Sequence, residues 1–557
     1  SHGTTMMFLF AIPVMEAVGI YLVPLMIGAR DMAFPRLNAF GYWVFLIAGL
    51  TVWVALLTGN GPDAAWFNYV PLASEEYSPG IGIDVWTTAI TFMEIATLVA
   101  AVDMVVTILR MRAPGMSLNR MPLFVWAMLV TSMMIIFAMP TVMLASVFLA
   151  LDRLVGTHFY NPAEGGDPLL WQHLFWVFGH PEVYIILVPA LGMISTIVAT
   201  FARRSNAAYL LVALSLVAIG FLSFGLWVHH MFTTGLPWLS LSLFTAASMT
   251  IAIPSGIQVF SWIGTMWGTR PSFNTPMLYI FGFFFIFVLG GITGVMVAAI
   301  PFDEQVHDTF FVVAHFHYVL IGGGVFPLLG ALHYWYPKFF GRMMHEGLGK
   351  VSFWLALVGF NVAFFPMHLL GLDGMPRQIY TYHNDVGWDT ENLIATIGAY
   401  TFGFSLLLIF INVVWSRWRG DQAPDNPWGA GTLEWSVPSP PPPYNFVSIP
   451  VVPRQFPLWP NDEVGPALEG AQPDTIPDEL FDPQLERREV VSTRMLDAKL
   501  ERKYVLANPS IFPLLLALSV GLLFIGAIFS LWFVPIGAVL SLICALGWLL
   551  PRKGDWE

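Results

Sequence analysis

The sequence predicts an all-α integral membrane bundle, and three observations predict it. Of its 557 residues, 57% are hydrophobic and only 11% are charged, far below the charge content of soluble domains. Apolar runs of about 20 residues, the length that crosses a bilayer, recur along the whole chain. Lys and Arg are concentrated in alternate loops between these runs, as expected when positive loops stay inside. The same composition excludes other classes. The net charge is −12 and no basic stripe accompanies it, so there is no nucleic-acid footprint. Cys544 is the only cysteine, which excludes disulfide frameworks and thiolate metal sites within the chain.

Eleven spans are expected at roughly 4–28, 38–58, 86–111, 121–151, 171–202, 208–233, 241–267, 277–300, 310–336, 350–372 and 393–416. Two more follow at roughly 511–530 and 532–550. One set of alternate loops holds Arg30, Arg36, Arg110, Arg112, Arg120, Arg203, Arg204, Arg270, Lys338, Arg342, Lys350, Arg417 and Arg419. The other set holds only Arg153 and Arg377, with several acids. The first set is therefore inside. Three regions follow: a core over 1–420, an inner linker over 421–507 and a two-helix hairpin over 508–557. The linker is expected to be extended through its Pro-rich run, Pro438 and Pro440 to Pro443. One short amphipathic helix is expected in its charged stretch, Glu486–Lys503. The hairpin is expected to turn near Val534–Pro535 and to stand apart from the core.

With this topology, His2, His180, His229, His230, His315 and His317 all fall in the outer third of the bilayer. Ionisable groups at membrane depth are costly and usually functional. His180 and Tyr184 are four residues apart and share a helix face, while Glu182 points elsewhere. Pro181 removes a backbone hydrogen bond and loosens that helix. His229 and His230 are adjacent, so both reach one metal only near a helix end. Together with His180 they offer three imidazoles and an open position, which suits copper or a similar metal. The plainer alternatives are a core histidine bonded to a carbonyl and two loop-edge histidines facing water.

His315 and His317 lie about 200° apart around a helix and cannot serve one centre. They can serve two planar cofactors flanking the helix, a five-coordinate heme on His315 and a bis-histidine heme on His317 with His2. The alternative is aromatic core packing. His307 and Asp308 sit at an outer loop edge, where they either bind a hard cation or form a solvated pair. Arg377 is a candidate for a heme propionate.

These stretches resemble subunit I of heme-copper oxygen reductases of the cytochrome c oxidase type. The resemblance is carried by His2-Gly3 before Met6-Met7, by Asp31-Met32-Ala33-Phe34-Pro35-Arg36, and by Met111-Arg112-Ala113-Pro114-Gly115-Met116. It continues through Trp176 to Tyr184, His229-His230-Met231, His307-Asp308-Thr309, Val313 to Tyr318 and Gly374-Met375-Pro376-Arg377. It implies a family core of twelve helices, of which the first is expected to precede residue 1, plus the additional C-terminal hairpin. It implies reduction of O2 to water at a high-spin heme and copper, with electrons from cytochrome c through subunit II. His180, His229 and His230 would bind copper, His315 the high-spin heme, and His2 with His317 the low-spin heme. Tyr184 would be bonded to His180, and Arg377 and Trp176 would lie beside cofactors. His307 and Asp308 would help bind magnesium, and Glu182 would relay protons arriving from Asp31 past Asn38. The implied hemes are a-type. The implied partners are a subunit II with dinuclear copper or a cytochrome c domain, a subunit III-like chain and small accessory subunits. The implied location is the bacterial cytoplasmic membrane.

The chain departs from the family where protons are supplied. A lysine expected in the second proton route is Gln258, with Ser195 and Ser255 left as polar lining. Gln258 hydrogen-bonds but carries no proton charge. Arg110 and Ile20 stand where asparagines are usual, and Gln378 follows Arg377 in place of a second arginine. Glu16, Glu94 and Asp103 add acids inside spans. These departures leave proton pumping open. They also keep two alternatives open, a nitric oxide reductase of the same superfamily and a non-catalytic heme electron-transfer subunit.

Overall fold

A computed structural model describes residues 1–459 and 488–550. Among them, eleven helices are long and apolar enough to cross a membrane. They are α1 (His2–Ile27), α2 (Pro35–Leu57), α3 (Gly82–Arg110), α4 (Leu123–Val155), α5 (Pro168–Ala202) and α6 (Tyr209–Met231). They continue as α7 (Trp238–Met266), α8 (Thr275–Val297), α9 (Phe310–Phe340), α10 (Glu346–Leu372) and α11 (Asp389–Arg419). Two shorter apolar helices follow, α12 (Phe512–Ala527) and α13 (Phe533–Leu549).

Helix α5 is the axis of the bundle, and its most apolar stretch is wholly buried. It begins at a cap where the Asp167 side chain accepts from Leu169 N–H at 2.8 Å, satisfying one orphan donor of the first turn. Helices α10 and α11 pack closely because a glycine on each faces the partner backbone. A Cβ on Gly398 would lie 2.1 Å from Ala363 N, and one on Gly359 would lie 2.5 Å from Phe402 N.

Four spans break their regular winding, α7 at Ile251 and three others. α1 is π-helical over Thr5–Ala11 and α9 over Ile321–Val325. α6 ends its α-helical part at Ser223 and finishes in a 3-10 turn, Trp227–Met231. π-turns and 3-10 turns re-aim side chains and are frequent at functional sites.

Among the described residues between α11 and residue 460, the chain is irregular apart from one 3-10 turn, Leu433–Ser436. It is packed onto the bundle, with Leu433, Trp435 and Val452 buried in the main core. The amphipathic helix expected over Glu486–Lys503 does not form. Its first two residues lie outside the described ones. The rest is an antiparallel hairpin of β1 (Glu489–Thr493) and β2 (Leu500–Val505). The run Val490-Val491-Ser492-Thr493 is β-branched or small and fully buried, which favours a strand. The charges Arg494 and Asp497 pair within the turn instead of lining a helix face.

The C-terminal hairpin also differs from expectation. Its turn falls at residues 528–532, and Pro535 lies in the first turn of α13, where its missing N–H breaks no helical bond. Nor does it stand apart from the core. Phe524 stacks on Phe92 of α3 at 6.0 Å, and Trp548 meets Phe40 of α2 edge-on at 5.9 Å.

Candidate metal centre

Helix α5 and the 3-10 turn of α6 bring three histidines together. One ligand nitrogen from each of His180, His229 and His230 lies within 4.8 Å of the other two. The His180 and His229 ring centroids are 4.3 Å apart, as are those of His229 and His230. Adjacent residues on a regular helix diverge by about 100°. The tighter turn after Ser223 is what lets both face α5.

Hydrogen bonding fixes the chemical state of the His229 ring. Ser248 Oγ on α7 donates to Phe244 O at 2.6 Å. Its one proton is thereby used, so His229 Nδ1–H is the donor in the 2.8 Å contact with Ser248 Oγ. His229 Nε2 then carries a lone pair. His180 Nδ1 lies 3.2 Å from His230 Nε2, and His180 Nε2 is buried with no hydrogen-bond partner among the described residues. Trp176 stacks on the His230 ring with centroids 3.8 Å apart and donates through Nε1 to Tyr69 OH at 2.5 Å. Three imidazoles without thiolate or carboxylate suit copper. Tyr184 meets His180 edge-on, with ring centroids 4.8 Å apart.

Helix α9 presents the next pair. His315 Nδ1 lies 3.1 Å from Gly290 O and 3.1 Å from Thr293 Oγ1, both on α8. His317 Nδ1 lies 2.7 Å from Val313 O. A carbonyl only accepts, so each Nδ1 carries the proton and each Nε2 is left as a ligand atom. This is the state an axial heme ligand requires, and both residues fit. Phe364 stacks on His317 at 4.2 Å. His2, at the start of α1, lies within electrostatic reach of His317.

At the outer edge, His307 Nδ1 is 3.5 Å from Asp303 Oδ2 and His307 Nε2 is 3.6 Å from Asp308 Oδ2. Burial alone would lower the His307 pKa, but the hydrogen bond to Asp303 and the two carboxylate charges outweigh it and raise it. Arg377 pairs with Asp308 at 3.7 Å and lies over Phe316 at 5.7 Å. Its burial lowers its pKa against the pull of Asp308.

The acids and polar residues are spread more widely. Glu182 is fully buried, and neither carboxylate oxygen has a hydrogen-bond partner among the described residues. Glu94, also buried, lies within its electrostatic reach. Asp103 accepts from Phe34 N–H at 2.9 Å, and Asp31 accepts from Met32 N–H at 2.8 Å. Asn38 lies in the first turn of α2, and Glu16 is on α1. On the other side of the bundle, Ser195 accepts from Trp262 Nε1 at 2.9 Å and Ser255 donates to Ile251 O at 2.9 Å. Gln258 Nε2 donates to Ser215 Oγ at 2.6 Å and to Val212 O at 3.0 Å, which ties it to α6.

Sequence reasoning missed Ser248 and the carbonyls of Gly290 and Val313. Ser248 lies on α7, whose most apolar stretch is the least buried of the eleven long spans. The Val313 carbonyl, four residues before His317, is a helical back-bond that spacing alone could have suggested.

The fold and site define a multi-pass α-helical membrane protein built around an imidazole layer for metals. The family model described as cytochrome c and quinol oxidase polypeptide I matches residues 1–401. Cytochrome c oxidase subunit 1 of Bacillus sp. (strain PS3) is 48% identical over 459 residues, 82% of this chain and 74% of that one. Quinol oxidase subunit 1 of Bacillus subtilis (strain 168) is 44% identical over 458 residues, 82% of this chain and 71% of that one. A cryo-EM structure of a heme-copper terminal oxidase dimer superposes with a TM-score of 0.64 at 20% identity. That match covers 75% of this chain and 76% of the other, and it shows the shared fold. The chain therefore belongs to the family of cytochrome c and quinol oxidase polypeptide I. It is a multi-pass membrane heme-copper oxidoreductase of the respiratory chain, working in a complex with other subunits.

Proposed function

We propose that the chain is the catalytic subunit of a terminal oxidase that reduces O2 to water with electrons from cytochrome c. The carrying observation is Tyr184 edge-on to His180 within the three-histidine cluster. Bound heme and copper supply electrons and a binding position for O2. Cleaving O2 needs one more electron and proton close by, and the half-buried Tyr184 phenol holds both. In this reading His180, His229 and His230 hold copper, and His315 holds the high-spin heme. His2 and His317 hold the low-spin heme, and the hemes are a-type. Arg377 and Trp176 bind at the cofactor edges, and His307 with Asp308 holds magnesium. Protons travel from Asp31 past Asn38 to Glu182. Gln258, with Ser195 and Ser255, lines the second route.

Electrons reach the low-spin heme from a subunit II that carries dinuclear copper or a cytochrome c domain. A subunit III-like chain and small accessory subunits complete the complex. Its place is the bacterial cytoplasmic membrane. Residues 1–420 form the catalytic core, 421–507 an inner segment and 508–557 an accessory hairpin.

One observation favours nitric oxide reduction as a second reading. Gln258 spends its amide on Ser215 and Val212, so no proton charge moves there. The deciding experiment is turnover of the purified complex on O2 and on nitric oxide, with cytochrome c or a quinol as donor, and metal analysis. Cytochrome c-driven O2 consumption with little nitric oxide reduction is expected. Faster nitric oxide turnover would transfer support to the second reading. Absence of copper would overturn both.

Ser248 gives a test of the copper ligands. Because Ser248 holds the His229 tautomer, Ser248→Ala is expected to weaken copper binding about 10-fold to 100-fold. Chelator titration with copper analysis reads this, and unchanged affinity would show that Ser248 does not orient the ring.

A further inference from the structure

The β1–β2 hairpin lies beyond the residues that the family model matches. It is fastened to the inner loops by many bonds. Arg30 Nη1 donates to Glu489 O at 2.8 Å, and Arg112 Nη2 donates to Met495 O at 2.5 Å. Gly115 N–H donates to Ala498 O at 3.1 Å, and Leu118 N–H donates to Leu496 O at 3.2 Å. Arg110, where the resemblance leads one to expect asparagine, is ion-paired with Glu501 on β2 and lies 3.3 Å from Ser492 Oγ on β1. That departure is explained as an anchor for the hairpin.

At the head of β1, Arg488 Nη2 donates to Asp31 Oδ2 as an ion pair. Arg488 is itself held, because Nη1 donates to Ala507 O at 3.1 Å and its carbonyl accepts from Leu506 N–H at 3.2 Å. Its φ of 48° is a backbone conformation that side-chain-bearing residues seldom adopt, yet the strand start enforces it. The other oxygen of Asp31 already accepts from Met32 N–H. Both carboxylate oxygens therefore have a donor, and the outward one faces a fixed positive charge.

We propose that Arg488 is a clasp on Asp31, through which the β1–β2 hairpin sets how fast protons reach the core. The inference rests on the reading that Asp31 begins the proton route. Each carboxylate oxygen keeps a second lone pair, but the guanidinium covers the Oδ2 side of Asp31, so inner water meets fewer open acceptor sites until the guanidinium moves away. Until then the guanidinium charge also repels the incoming proton. Arg488 is a positioning residue and acts only through Asp31. Exposed ion pairs are ordinarily weak, but this one is presented by an anchored strand, which holds the guanidinium at high effective concentration.

The test is proton uptake followed with a pH-indicator dye, alongside electron transfer, when the full reduced complex meets O2. Arg488→Gln is expected to speed uptake on the order of tenfold, with heme absorbance unchanged. Arg488→Lys is expected to stay near wild type, and Asp31→Asn to slow uptake. Arg110→Gln removes one anchor of the hairpin while Arg30, Arg112, Gly115 and Leu118 still fasten it, so the Arg488–Asp31 pair stays presented and uptake is expected near wild type. Uptake unchanged in Arg488→Gln while Asp31→Asn is slow would overturn the clasp alone. Equal acceleration in Arg110→Gln would also overturn it, since the effect would then belong to the hairpin at large. Unchanged uptake in Asp31→Asn would overturn the proton route and the clasp with it.

Discussion

Replacing His180 with alanine is expected to strip copper from the purified complex and to lower O2 turnover by about 10³-fold, or about 4 kcal/mol of barrier. The size follows from its position. His180 Nδ1 lies 3.2 Å from His230 Nε2, and its ring touches those of both His229 and Tyr184. Without it, two adjacent imidazoles on one short turn remain, too few for a stable copper site. Tyr184 also loses the ring it leans on. Iron content should persist, because the Nδ1 bonds of His315 and His317 are made to α8 and within α9. Metal analysis and oxygen electrode measurements check both parts. Full copper occupancy with turnover within tenfold of wild type would refute the three-histidine assignment.

The second large effect is expected at Glu182. Glu182→Gln should lower turnover about 100-fold through loss of acid–base transfer, with copper and iron content intact. Gln has the same shape but cannot release a proton to the site. The native carboxylate is buried, and no donor among the described residues holds either oxygen, so the group is free to reorient. The measurement is O2 consumption together with time-resolved proton uptake. Turnover within twofold of wild type would move the terminal acid to Glu94, the buried neighbour within electrostatic reach.

The parts of the molecule legible in the sequence share one physical origin. Spans are written in long apolar runs, so the eleven long helices stand close to where hydropathy places them. The meeting of His180, His229 and His230 follows from depth and from a helix ending near Ser223. The illegible parts depend on contacts made across the fold. The charges after Glu489 suggest an amphipathic helix, whereas the mostly β-branched run Val490-Val491-Ser492-Thr493 and its docking against Arg30 and Arg112 make a strand pair there. The turn of the last hairpin was misplaced because Pro535 punctuates a helix start as readily as a turn. Ser248 was hidden because its value lies in which ring it meets.

The fastening of the β1–β2 hairpin has a consequence for biosynthesis. A ribosome delivers residues 488–505 after all eleven long spans have left it, and domains of a nascent chain settle from the N-terminus onward. The bonds from Arg30, Arg112 and Gly115 to this hairpin therefore form only after the eleven long spans are made, whereas Phe446, Val447 and Val452 reach the same loops earlier. A chain cut short before residue 488 would therefore insert its eleven long helices yet lack this cover on the loops that join them.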